Sequence, residues 1–291
     1  MHQQTPPDKR LNVYRDDLAD SALQGVVSAE QYVDGQLARV AAHFADVYDK
    51  PNDGAGLQTQ FLHGHDVTVF DRNGGWAWVQ GQTDGYVGYV RSELLVELDA
   101  TTAIEPTHMV TAPRTFLYSE SDLKSPRSGY RSIGSKLTVV DKATTRGTDY
   151  AILDNGEAII ANHLTAIGDW LSDPTTVAET LLHTPYLWGG GSGFGIDCSG
   201  LVSIAHLLCG QIVLRDSDMQ AASIGEVIPL DIDQLERGDL IFWNGHVGLM
   251  ADSRNLLHAN GNTMNVALEP LADAIKRIGY LYDAPTLARR P

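Results

Sequence analysis

Between Leu57 and Leu95 apolar and polar residues alternate in short runs: Leu57–Leu62, Asp66–Phe70, Trp76–Gln80 and Tyr86–Val90. Gly64, Asn73-Gly74-Gly75 and Thr83-Asp84-Gly85 separate them. Period-two alternation broken by close turn signals predicts a small all-β barrel. A fainter copy of the rhythm follows from His108 to Gly168, in Met109–Ala112, Thr115–Tyr118, Lys136–Val140, Tyr150–Leu153 and Ala158–His163. Glu105-Pro106 reads as the linker between the two. Upstream, residues 1–45 are polar at first and then helix-compatible from Ala29 to Ala45.

The pattern changes at Asp173-Pro174, an N-cap residue followed by an N1 proline, which opens a helix through Leu182. Leu201, Val202, Ile204, Ala205, Leu207 and Leu208 then trace a buried helix that Gly210 ends. A loop is expected at Arg215–Gln220, and strands at Gly238–Trp243, His246–Met250 and Asn255–His258. Helices before antiparallel strands make an α+β domain. The predicted boundaries are 1–45 for an N-terminal segment, 46–104 and 105–170 for two β domains, and 171–291 for the α+β domain.

Composition narrows the partners. A net charge of -16 argues against nucleic acid and anionic membrane surfaces, which repel an acidic protein. No stretch approaches the roughly 18 to 20 apolar residues a membrane helix needs. Met1 to Arg10 lack the basic start and apolar centre of a secretory signal, so a cytoplasmic location is expected if Met1 is the native start, and a secreted one otherwise.

The chain has two cysteines, Cys198 and Cys209. On one helix they would stand about 16 Å apart, too far for a disulfide. Cys209, beside Leu207 and Leu208, reads as a packed core thiol. Cys198 falls at the first turn of the helix after a capping Asp197, where the macrodipole favours thiolate. His246 opens one predicted strand and His258 ends the next, so one hairpin end can carry both rings. Cysteine first and histidine later is the order of a papain-type nucleophile and base, which meet only in the fold. No C-x-x-C or H-x-x-x-H spacing suggests a metal site.

These segments resemble a known family. Pro185-Tyr186-Leu187-Trp188-Gly189-Gly190, Gly195-Ile196-Asp197-Cys198-Ser199-Gly200-Leu201-Val202, Arg215-Asp216-Ser217-Asp218-Met219-Gln220, Arg237-Gly238-Asp239-Leu240-Ile241-Phe242-Trp243, His246-Val247-Gly248 and Leu257-His258-Ala259-Asn260 look like the NlpC-type cell-wall cysteine peptidases, in that family's order. The resemblance spans about residues 175–275. The β-rich stretches before it resemble the bacterial SH3-like domains often fused to this catalytic domain, chiefly through Asp84-Gly85-Tyr86-Val87-Gly88-Tyr89-Val90. It thus implies an α+β, papain-like cysteine peptidase domain preceded by two small SH3-like β-barrels.

Carried over by residue, the resemblance implies Cys198 as nucleophile, His246 as general base and His258 as the group that orients His246. Tyr186 matches a tyrosine facing the active site, where its hydroxyl would join the Cys198 backbone N–H in steadying the oxyanion. Asp197, Ser199 and Trp188 are implied to contact the peptide substrate, capping being the other reading of Asp197. Asp216 matches an aspartate that holds the free α-amine of an L-alanyl-D-glutamyl unit; a solvated loop carboxylate is the alternative.

The expected activity is hydrolysis of the γ-D-glutamyl–diamino acid bond of peptidoglycan stem peptides, with a free N-terminal L-alanine preferred and no cofactor. The substrate would be a small muropeptide of the L-Ala-γ-D-Glu-diaminopimelate type, returned for recycling. A secreted hydrolase of intact wall and a non-catalytic wall-binding module are the rivals.

Overall fold

A computed structural model describes residues 6–99, 101 and 103–291. Residues 1–5, part of the N-terminal stretch read above for a signal, lie outside the described residues. The chain forms two compact units, Met1–Glu105 and Pro106–Pro291, which divide at the expected linker.

In the first unit a seven-stranded antiparallel sheet runs in the order 57–62, 44–48, 87–91, 76–81, 66–73, 36–40, 95–97. The four runs read from Leu57 onward are all strands. The helix expected from Ala29 to Ala45 is not formed: strands Gln31–Val33, Gln36–Val40 and Phe44–Tyr48 occupy that stretch. Alanines there suit a helix, but burial follows period two, with Ala38, Val40, Ala45 and Val47 pointing into the core. The sheet therefore begins before residue 46, the boundary expected from sequence. Tyr86 is buried in that core, while Trp78 stacks on Tyr89 at 6.3 Å and lies under the Arg15 guanidinium at 4.3 Å.

The second unit opens with a five-stranded sheet in the order 127–132, 114–118, 158–160, 148–153, 139–145 and a three-stranded sheet in the order 136–137, 108–110, 164–166. Backbone details of the first unit recur here. The Val40 N–H donates to His65 O, that of Gly64 to Val40 O and that of His65 to Leu62 O. Their counterparts are Val110 to Ser135, Gly134 to Val110 and Ser135 to Ser132. Bulges at Val47/Tyr48 and Val69/Asp71 reappear at Leu117/Tyr118 and Val139/Asp141.

Helix α1 (Pro174–Glu179) follows, with Asp173 capping Thr175 N–H and proline at its start, as read from sequence. Helix α2 (Cys198–Leu208) buries Leu201, Val202, Ile204, Ala205 and Leu208. Gly210 follows at φ 76°, the left-handed conformation that ends a helix. The expected loop at 215–220 instead enters helix α3 (Ser217–Ser223). An antiparallel sheet in the order 226–228, 287–290, 240–243, 246–250, 255–260, 265–270 packs on α2 and on α4 (Leu271–Tyr282). Ile241, Trp243, Met250 and Leu256 of this sheet share a core with Leu271, Ala274 and Ile278 of α4.

Candidate active site

Asp197 organises the approach to Cys198. Its Oδ1 accepts the Gly200 N–H at 2.7 Å, the cap that starts α2, and its Oδ2 accepts the Gly189 N–H at 2.9 Å. The second bond folds the Trp188-Gly189-Gly190 turn onto the helix start, with Gly189 at φ 73°. Gly200 is needed for closeness: a Cβ there would lie 2.3 Å from Gly190 O. Arg215 completes the frame. Its Nη2 donates to Asp197 Oδ2 at 2.8 Å and to Gly190 O at 3.1 Å, and its Nη1 donates to Ser199 Oγ at 2.8 Å. The resemblance implied substrate contacts for Asp197 and Ser199; the contacts the structure records for both, each over nine-tenths buried, belong to this internal frame.

Cys198 is the first residue of α2 and 8% exposed. The Val247 N–H donates toward its sulfur, which sets the thiol beside the strand that His246 opens. Burial opposes the thiolate expected from the helix dipole. Burial, reinforced by the Asp197 charge, pushes the thiol up to about 12, and the Val247 N–H and Arg215 offset only part of this. Desolvation also pulls His246 down to about 3, helped by His258 and Arg277 and opposed by Glu269. Burial thus favours the neutral forms of both the thiol and the imidazole.

His246 Nε2 lies 2.8 Å from His258 Nδ1, and the rings are 5.0 Å apart, edge to face. Both therefore meet at one end of the hairpin, as the sequence predicts. His258 is fully buried, and its Nε2 lies 2.7 Å from Glu269 Oε1. Strand register explains that meeting: His258 pairs with Ala267 and Leu256 with Glu269, so Glu269 is the diagonal neighbour on the same face. The Arg277 guanidinium, from α4, donates to the same Glu269 oxygen. The His258 N–H, then Arg277, hold the Glu269 carboxyl below its ordinary value against the effect of burial.

Tyr186, Trp188 and His246 line one cavity of about 460 Å³ with Asn260, Asn262 and Arg277. Tyr186 is half-buried, its N–H bonded to Met264 O at 2.9 Å, whereas Trp188 is 67% exposed. Asp216 is the N-cap residue of α3; its side chain does not cap that helix, and its charge acts on Arg215. Cys209, expected in the core, instead caps the end of α2 and is partly exposed. The sequence reading missed Arg215 as a frame residue, and it missed Glu269 and Arg277. Arg215 stood in a quoted motif, but nothing local pointed to Glu269, which needs the strand register to find its histidine.

Among known proteins, residues 47–95 match the model of the bacterial dipeptidyl-peptidase Sh3 domain, and residues 183–277 that of the NlpC/P60 family. Dipeptidyl-peptidase 6 of Lysinibacillus sphaericus is 31% identical over 275 residues, covering 84% of this chain and 99% of the relative. A gamma-D-glutamyl-L-lysine dipeptidyl-peptidase of Bacillus cereus is 30% identical over 241 residues, covering 74% and 71%. The crystal structure of an NlpC/P60 family protein from Bacillus cereus superposes with a TM-score of 0.73 over 87% of this chain and 99% of that one. At 24% identity, that likeness bears on the fold. Papain-like order, a thiol at a helix start that meets the backbone of the strand His246 opens, and a relative matched along nearly its whole length lead to one assignment: the chain is a cysteine peptidase and belongs to the NlpC/P60 family.

Proposed function

We propose that this protein cleaves the γ-D-glutamyl bond to the diamino acid in peptidoglycan stem peptides, acting on small peptides with a free N-terminal L-alanine. The observation that carries this reading is the Cys198–Val247 and His246–His258 geometry, an acyl-transfer site. Its substrate class rests on the relatives named gamma-D-glutamyl-L-lysine dipeptidyl-peptidase.

In this reading His246 takes the Cys198 proton as sulfur attacks the γ-carbonyl carbon. The C–N bond then breaks, and His246 returns the proton to the leaving amine of the diamino acid. Water, deprotonated by His246, attacks the thioester, releasing L-Ala-D-Glu and restoring the thiol. The Cys198 backbone N–H, which as the first of a helix has no intrahelical acceptor, and the Tyr186 hydroxyl are the proposed oxyanion donors. Trp188 is the proposed wall for the peptide, and Asp216 the proposed partner of its α-amine.

Residues 105–170 are read as a second SH3-like domain, supported by the backbone bonds and bulges they share with the first unit.

Mass spectrometry of a digest of L-Ala-γ-D-Glu-L-Lys, and of its diaminopimelate counterpart, tests the activity. The expected products are L-Ala-D-Glu and the free diamino acid, absent with Cys198→Ser. Cleavage at the L-Ala–D-Glu bond, or of a muramoyl amide alone, would overturn the assignment.

A further inference from the structure

The two histidines present a symmetry problem. Two neutral imidazoles joined Nε2 to Nδ1 bond equally well with the proton on either side. Only one of the two arrangements leaves His246 Nδ1 bare, as the base in the proposed mechanism requires. Nothing in the His246–His258 pair itself chooses between them.

Glu269 supplies the choice. Its carboxylate only accepts and Arg277 only donates, so the 2.7 Å contact requires a proton on His258 Nε2. A neutral ring with Nε2–H has a bare Nδ1. That Nδ1 lies 2.8 Å from His246 Nε2, which must then carry the proton and donate. His246 Nδ1 is left with its lone pair. A doubly protonated His258 would reverse this order, but Arg277 already balances the Glu269 charge, and a second cation at a fully buried ring would be uncompensated.

We infer that Glu269 is a positioning residue: anchored by Arg277, it fixes the tautomer of His258 and through it makes His246 Nδ1 the base that receives the Cys198 proton. No proton leaves Glu269 in this scheme. When His246 becomes an imidazolium, its charge faces, through His258, a carboxylate already in place. The inference rests on the cysteine–histidine reading above for its catalytic consequence, while the proton order itself concerns the free protein.

Two measurements test it. In protein with ¹⁵N-labelled histidine, one- and two-bond couplings at neutral pH should report both His246 and His258 as Nε2–H tautomers. Glu269→Ala should shift both toward Nδ1–H. Glu269→Gln should keep the order, because Arg277 holds the amide oxygen toward His258, but without the charge. On the tripeptide, kcat should fall roughly 100-fold for Glu269→Ala and about 10-fold for Glu269→Gln, with KM little changed, the first being at the lower end of what a general base supplies. If Glu269→Ala does not fold, the glutamine variant still decides through its kcat and KM. Wild-type spectra with His258 protonated on Nδ1, or a Glu269→Gln enzyme with full kcat, would overturn the inference. Expected tautomers in a protein that leaves the tripeptide uncut would instead uphold the proton order and remove the proposed substrate.

Discussion

Arg215 and Asp197 form an ion pair at 2.8 Å, with 4% and 11% of their side chains exposed. Burial alone would lower the guanidinium's proton affinity, but the Asp197 charge and hydrogen bond more than reverse that, so Arg215 stays charged. The pair joins the loop before α3 to the start of α2. Gly190 O and Ser199 Oγ accept two more of the guanidinium's N–H groups.

Breaking this pair from one side should be severe. Arg215→Met leaves the Asp197 carboxylate buried without its counter-charge, at a cost of about 3–5 kcal/mol. It also removes a positive charge that favours the Cys198 thiolate, so activity should fall further than stability alone explains. Urea unfolding measures the first effect, and the rate of Cys198 alkylation in the folded protein the second. A loss below about 1 kcal/mol would mean that the frame is not held by this ion pair.

The stability of the protein should carry the signature of its neutral catalytic pair. His246 titrates near 6.5 when unfolded and is pulled down to about 3 in the fold by burial. As pH falls from 6.5 towards 3 the unfolded chain gains a proton there that the folded chain refuses, so stability present above 6.5 is lost on the way down. Cys198 works in the opposite direction: burial raises it from 9.0 to about 12, so stability present below 9 is lost as pH rises towards 12. Difference curves of urea unfolding isolate each arm. Wild type minus His246→Ala should decline by a few kcal/mol between pH 6.5 and 4, and wild type minus Cys198→Ala should decline only above pH 9. A flat acid difference would mean that His246 titrates in the fold as it does in the unfolded chain, and burial would not govern it.

What could be read from residues alone follows from how local each signal is. The capped α2, the cysteine at its start and the strands from Leu57 onward are marked by neighbours within a few positions, and each is where it was expected. The stretch from Ala29 to Ala45 failed because alanine content outweighed a weak alternation, and only pairing with the strands at 66–73 and 57–62 makes that alternation decisive. For Cys198 the helix start was visible in the sequence, but how deeply it is buried was not, and burial pushes the thiol toward its neutral form. Glu269 was invisible because its role depends on which residue lies diagonally across a strand pair.

The last prediction concerns Asp216 and the length of substrate accepted. Asp216 precedes α3 directly after the buried Arg215, and its side chain does not cap the helix it introduces. A carboxylate in that position suits a cationic amine, and the net charge of -16 favours approach of one. If Asp216 pairs with the α-amine of the substrate, L-Ala-γ-D-Glu-L-Lys should be cut much faster than the same peptide acetylated on its alanine, because acetylation removes the cation. Asp216→Asn should lower kcat/KM on the free peptide by roughly 10- to 100-fold, as expected for loss of one charged hydrogen bond worth about 1.5–3 kcal/mol, and should leave the acetylated peptide nearly unchanged. The ratio of the two rates, rather than either alone, is the measurement, since a general loss of fold lowers both together. Equal rates on free and acetylated peptides in the wild-type protein would remove Asp216 from recognition and favour a hydrolase acting on stem peptides still attached to the wall.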